Sequence, residues 1–168
     1  MIEITVITDM RAPIRRCFDL ARSIDAHVAT VEGTGERAIA GRTSGLIGLG
    51  ESVTWEARHF GVRQRLTSRI TVMDRPTFFQ DRMERGAFRS FEHDHVFEDV
   101  GEGLTRMTDV LRFSAPGGPI GWAFERVVLG RYMRRFLTER AEALRVLAEG
   151  EGWGRYVGDA SDGARAMT

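Results

Sequence analysis

Between Glu36 and Ala115 apolar and polar residues alternate mostly with a period of two, and on both sides of that stretch apolar residues recur at helical spacing. Period two marks half-buried strands; recurrence every three to four residues marks a helix face. Ile2, Ile4 and Val6 open the chain as a strand. Pro13 suits the first turn of a helix whose apolar side carries Ile14, Phe18 and Ala21. Ser23 is placed to cap a second short helix with Ile24, Val28 and Val31, ended by Gly33 and Gly35. Six further strands are predicted near 36–41, 51–60, 62–73, 77–85, 88–99 and 104–114. Gly61, Asp74-Arg75-Pro76, Gly86 and Gly101-Glu102-Gly103 separate the longer strands by connections short enough to imply antiparallel neighbours. Pro116-Gly117-Gly118-Pro119 stops the sheet. From Pro119 to about Glu149, Leu129, Met133, Phe136, Leu137, Leu144 and Leu147 line one side of a helix of about 45 Å, long enough to lie across a whole sheet. The apolar, flexible stretch Gly45–Gly50 reads as a portal loop or as a buried linker. Residues 1–149 form a single domain, and the Gly-, Asp-, Ser- and Ala-rich segment 150–168 is expected to be a flexible tail.

Composition narrows the function classes. A chain of 168 residues is long enough to bury a real core. Its formal net charge is zero, so no dominant field recruits nucleic acid or an acidic partner. No apolar run approaches the length of a membrane span. MIEITVIT alternates and lacks a basic leading region, so it reads as a strand rather than a signal peptide. The single cysteine, Cys17, rules out an intrachain disulfide; a cytoplasmic setting is expected, with Cys17 as a small core residue rather than a nucleophile. All 24 basic residues are arginine, which excludes lysine Schiff-base chemistry and a P-loop lysine.

The candidate chemistry lies in FRSFEHDHVFED, Phe88 to Asp99. On a strand, Phe91, His93, His95 and Phe97 share one face and Glu92, Asp94, Val96 and Glu98 the other, so the histidines point inward with the phenylalanines. A two-residue turn at Phe60-Gly61 sets His59 opposite Val62, Ala57 opposite Gln64, Trp55 opposite Leu66 and Val53 opposite Ser68. Three residues left out at Gly86-Ala87-Phe88 set Met83 opposite Phe91 and Asp81 opposite His93. A loop at Val100-Gly101-Glu102 sets His93 opposite Asp109 and His95 opposite Met107. Asp81, His93 and Asp109 then stand side by side on three strands, within reach of hydrogen bonds. In that alignment His93 is the more firmly held histidine, and the flanking carboxylates favour its charged form over the opposing effect of burial.

The element order, strand, two helices, six strands and a long helix, resembles the START-like helix-grip superfamily, also called SRPBCC. That superfamily includes the birch pollen allergen, aromatase/cyclases and lipid-transfer domains. The RAPIRRCFDLARSIDAH opening, the WEARHFG strand end and the closing amphipathic helix carry the resemblance over residues 1 to about 149. Within it the chain looks like the small bacterial ligand-binding branch. The resemblance implies an α+β fold, a curved antiparallel sheet of about seven strands wrapped around the C-terminal helix with an apolar cavity between. It implies a small lipophilic ligand and no cofactor, and it supplies no catalytic motif. His59, Trp55, Leu66, Ile70, Phe79, Asp81, Met83, Phe91, His93, His95, Met107, Asp109, Leu111 and Met133 are the candidate ligand-contacting residues. An enzyme of the same fold is the alternative, with His93, Asp81 and Asp109 as acid and base in a polyketide-cyclase-like or dehydratase reaction. A protein-interaction module is a third reading, and a homodimer is compatible with all three.

Other readings stay alongside. The Asp/His cluster can be a structural polar network that fixes strand register. His-x-His is a common metal-ligand spacing, but no histidine follows His95 and the long helix disagrees with a jelly roll, so no metal is expected. His27 reads as solvent or cap chemistry. His59 reads equally as cavity mouth or surface hairpin. Core packing accounts for Trp55, Phe79, Phe91, Phe113 and Trp122 without a ligand.

Overall fold

The computed structural model describes residues 1–31, 35–59, 61–117 and 125–157. Strand β1 (Ile2–Met10) leads into helix α1 (Ile14–Ala21) and helix α2 (Ile24–Thr30). Strands β2 (Arg37–Gly41), β3 (Ser52–His59), β4 (Val62–Asp74), β5 (Phe78–Arg85), β6 (Ser90–Gly101) and β7 (Leu104–Ser114) follow. A π-helical turn (Glu125–Leu129) opens into helix α3 (Gly130–Glu149), and a short helix α4 (Gly154–Val157) comes last. The strands form one antiparallel sheet in the order β1-β7-β6-β5-β4-β3-β2. The α1–α2 pair therefore carries the chain from one edge of the sheet to the other. The expected helix start at Pro119 lies outside the described residues, as does Trp122.

Local chemistry sets the element ends. Pro13 precedes the first turn of α1. The Ser23 hydroxyl accepts the Ala26 N–H at 3.2 Å, which caps α2, and donates to the Tyr156 carbonyl at 2.8 Å. The 45–50 stretch is a pinned linker. Ile24 N–H donates to the Gly45 carbonyl, Ile47 N–H donates to the Arg22 carbonyl, and the Arg22 guanidinium returns a bond to the Ile47 carbonyl. On the outer face of the sheet, arginines pair with acids across strands, as Arg112 does with Glu3 and Asp94.

The sheet grips α3 through two apolar clusters. Phe18 meets Phe79 and Phe97 edge-on, each with ring centroids 5.5 Å apart, and the C-terminal half of α3 joins that cluster through Ala141, Leu144 and Ala148. Ile4, Leu111 and Phe113 pack with Leu129, Met133 and Leu137 from the N-terminal part of the helix. Cys17 is fully buried in the first cluster.

Two expectations need correction. The β6–β7 hairpin is closed by a two-residue turn, with Gly101 opposite Leu104 and positive φ at Glu102 and Gly103. A bulge between Asp99 and Gly101 leaves Val100 unpaired. The ladder is thereby displaced by two residues from the expected one, so that His93 faces Leu111, His95 faces Asp109 and Phe97 faces Met107. An even displacement keeps every side chain on its face and changes only its neighbours. The β3–β4 register and the Asp81–His93 pairing stand as predicted. The tail does not come free at residue 150. Val157 is buried, Trp153 and Tyr156 pack on the core, and the Arg16 guanidinium lies 4.2 Å from the Trp153 ring centroid. These side chains bury apolar surface that composition counts alone overlook.

Candidate functional site

Between the sheet and α3 lies a cavity of about 580 Å³. The concave faces of β3, β4, β5, β6 and β7 supply one wall and α3 the other. Trp55, Leu66, Ile70, Phe79, Asp81, Phe91, His93, His95 and Leu111 line it, as the strand phases predicted, and Met133 lines it from α3. Ile47 of the pinned linker closes part of it. Met107 does not line it: opposite Phe97, it packs into the Phe18 cluster. Met83 lies at the strand end beside Gly86 and Leu66, and is not part of the lining. Asp109 sits behind the lining, fully buried. The side chain of His59 lies outside the described residues.

One wall carries an Asp/His cluster from three adjacent strands. Asp109 Oδ1 lies 2.6 Å from His95 Nδ1 and 3.1 Å from His93 Nε2. On the cavity side, Asp81 Oδ2 lies 3.5 Å from His95 Nε2 and 3.9 Å from His93 Nδ1. The imidazole centroids are 3.9 Å apart, and Phe79 stacks on His95 at 4.1 Å. The two Asp109 contacts are at charge-assisted hydrogen-bond distance, although the ring N–H directions are imperfectly aligned with the carboxylate. The structure thus brings together Asp81, His93 and Asp109, as expected, and adds His95 as the closer partner of both acids.

Their surroundings shift the two histidines in opposite directions. Burial opposes the charged form of His95, but Asp109 and then Asp81 outweigh it and raise its pKa. At His93 burial, reinforced by the neighbouring His95 charge, outweighs the two carboxylates and lowers the pKa. The expectation that the carboxylates prevail at His93 is therefore corrected. They prevail at His95, because the register sets Asp109 opposite that residue. Burial works against ionisation of Asp109 and Asp81, yet the adjacent imidazoles hold both below the usual carboxylate range. Asp81, His93 and His95 each bring a donor atom within 4.8 Å of the others, a grouping that a metal ion can use.

Further polar groups went unrecognised in the sequence. His27 is not a solvent-facing residue: it lines the cavity, stacks on Trp55 at 4.2 Å and contacts Glu36 Oε1 at 3.0 Å. Burial and then the Arg140 charge lower its pKa, against the pull of Glu36. Arg140 is 6% exposed and lines the cavity from α3, with no partner for its Nε. Its signal was present in the sequence, since Met133, Leu137, Arg140 and Leu144 recur at helical spacing and put a charge on the apolar stripe. His27 carried no comparable signal; its place follows from the packing of α2 over the sheet.

A family model described as polyketide cyclase / dehydrase and lipid transport matches residues 4–149. No curated protein matches the sequence. Among solved structures, TTHA0849 from Thermus thermophilus superposes with a TM-score of 0.71 at 20% identity, over 88% of this chain and 98% of that one. CV1439 from Chromobacterium violaceum gives 0.69 at 11% identity, over 89% and 99%. The ginseng major latex-like protein 151 from Panax ginseng gives 0.62 at 12%, over 88% and 97%. At such identities these likenesses show the fold alone, a helix-grip sheet closed on its last helix. With the family match running from β1 to the end of α3, the chain belongs to the polyketide cyclase / dehydrase and lipid transport family, within the START-like superfamily.

Proposed function

We propose that the protein binds one small lipophilic molecule in the cavity between the sheet and α3, with its apolar body among Trp55, Ile70, Phe79 and Leu111. The polar end of that molecule lies between Arg140 and the Asp81/His93/His95 wall. The observation that carries this reading is the cavity itself: about 580 Å³ of space with mostly apolar walls and a few convergent polar groups. Burying about 200 Å² of apolar ligand surface contributes about 5 kcal/mol, against which the cost of immobilising the ligand is set. Arg140 supports the orientation, because its buried Nε has no partner and a ligand oxygen supplies one. The family description covers cyclase and dehydrase chemistry as well as lipid transport, and either role begins with this binding step.

The test uses 1-aminoanthracene, a neutral apolar fluorophore. Wild-type protein is expected to enhance its emission saturably at one site per chain. Ser68→Phe, which projects a ring into the cavity, is expected to weaken binding at least tenfold while the protein stays folded by circular dichroism. Absence of saturable binding to the wild type, or equal binding to a folded Ser68→Phe variant, rejects the reading.

A further inference from the structure

We propose that Asp81, His93 and His95 form a binding site for one divalent transition-metal ion, with Asp109 holding both imidazoles from behind and the open coordination positions facing the cavity. The donors are Asp81 Oδ2, His93 Nδ1 and His95 Nε2. The carboxylate oxygen lies 3.5 Å from His95 Nε2 and 3.9 Å from His93 Nδ1. Two ligands on one metal at bonds of about 2.1 Å stand about 3.4 Å apart, so small side-chain adjustments bring the set to bonding distance. Each imidazole then uses its other nitrogen toward Asp109, at 3.1 Å from His93 and 2.6 Å from His95. A carboxylate behind a ligating histidine fixes which nitrogen is free and raises its basicity, and here one carboxylate serves two rings.

Two features favour a metal over a self-contained ion-pair network. The donors are split by side: Asp81, His93 and His95 line the cavity and Asp109 does not. A purely structural cluster has no need of that polarity, whereas a metal that meets a ligand does. Once the metal has displaced any proton on the ligating nitrogens, two neutral imidazoles with one carboxylate suit Zn²⁺ or Fe²⁺, and three protein ligands leave positions open to a bound molecule. Counting histidines argued against a metal because none follows His95. The third ligand is instead a carboxylate, twelve residues before His93 in the chain and directly across the ladder from it.

The site is tested on tag-free, EDTA-dialysed protein by calorimetric titration with Zn²⁺ and by the visible spectrum of the Co²⁺-loaded form. Wild type is expected to take up one equivalent per chain and to give a Co²⁺ spectrum with nitrogen and oxygen ligands. His93→Ala and Asp81→Asn should each weaken Zn²⁺ at least a hundredfold. Asp109→Asn should weaken it ten- to a hundredfold, as expected for loss of a group that orients ligands. His27→Ala, elsewhere in the same cavity, should leave the stoichiometry and affinity unchanged. Circular dichroism verifies that each variant is folded. Failure of the wild type to bind one equivalent overturns the proposal, and so does uptake that survives both His93→Ala and Asp81→Asn. Because 1-aminoanthracene binding needs only the apolar walls, these outcomes are distinct from failure of the proposed function.

Discussion

His95 is the residue on which the cluster turns. It stands 2.6 Å from Asp109, 3.5 Å from Asp81 and stacked on Phe79 at 4.1 Å, whereas the nearest carboxylate contact of His93 is 3.1 Å. Of the two imidazoles, that of His95 contributes most to holding Asp109 below the usual carboxylate range in a fully buried position. Removing one partner of a buried ion pair leaves the other uncompensated and costs about 3 kcal/mol or more. In metal-stripped protein, His95→Ala is therefore expected to lose about that much stability in urea unfolding. His93→Ala, which leaves the His95–Asp109 contact intact, should lose measurably less. Equal losses, or the reverse order, would show that these contacts do not carry the difference.

At the scale of elements, Ser23 joins three segments through one hydroxyl and its own backbone. It caps α2 through the Ala26 N–H, and it donates to the Tyr156 carbonyl of α4. Its backbone also bridges to Leu46 in the linker. Ser23→Ala is expected to cost about 1 kcal/mol for the cap and about 1 kcal/mol for the lost tether. A thermal-unfolding loss confined to the cap alone would mean that the Tyr156 contact adds nothing. The cap was legible in the sequence, because Ser followed by an apolar helix face is a local signal. The tether was not, since the two residues lie 133 positions apart. Helix α3 divides the same way. Its apolar stripe is plain in the spacing of Met133, Leu137 and Leu144, while the reason for Arg140 on that stripe emerges only once the opposing wall is in place.

For the whole molecule, the packed region extends to Val157 rather than ending with α3. A chain ending at residue 157 is the reference for one ending at residue 149, which loses Trp153, Tyr156 and Val157 and exposes what they cover. The shorter chain is expected to be about 3 kcal/mol less stable, on the scale of losing one large buried apolar side chain, measured by urea unfolding. Equal stability would show that this packing is superficial. The sequence by itself determined the element order, the strand phases and hence which residues face the helix, because alternation and helical spacing are local properties of the chain. Trp55, Ile70, Phe79, His93 and His95 reached the cavity for that reason. Only the tertiary structure decided which inward residues are neighbours. One bulge before Gly101 and a two-residue turn moved Asp109 from His93 to His95. They left every face unchanged, because sliding a ladder by two residues alters partners without altering sides.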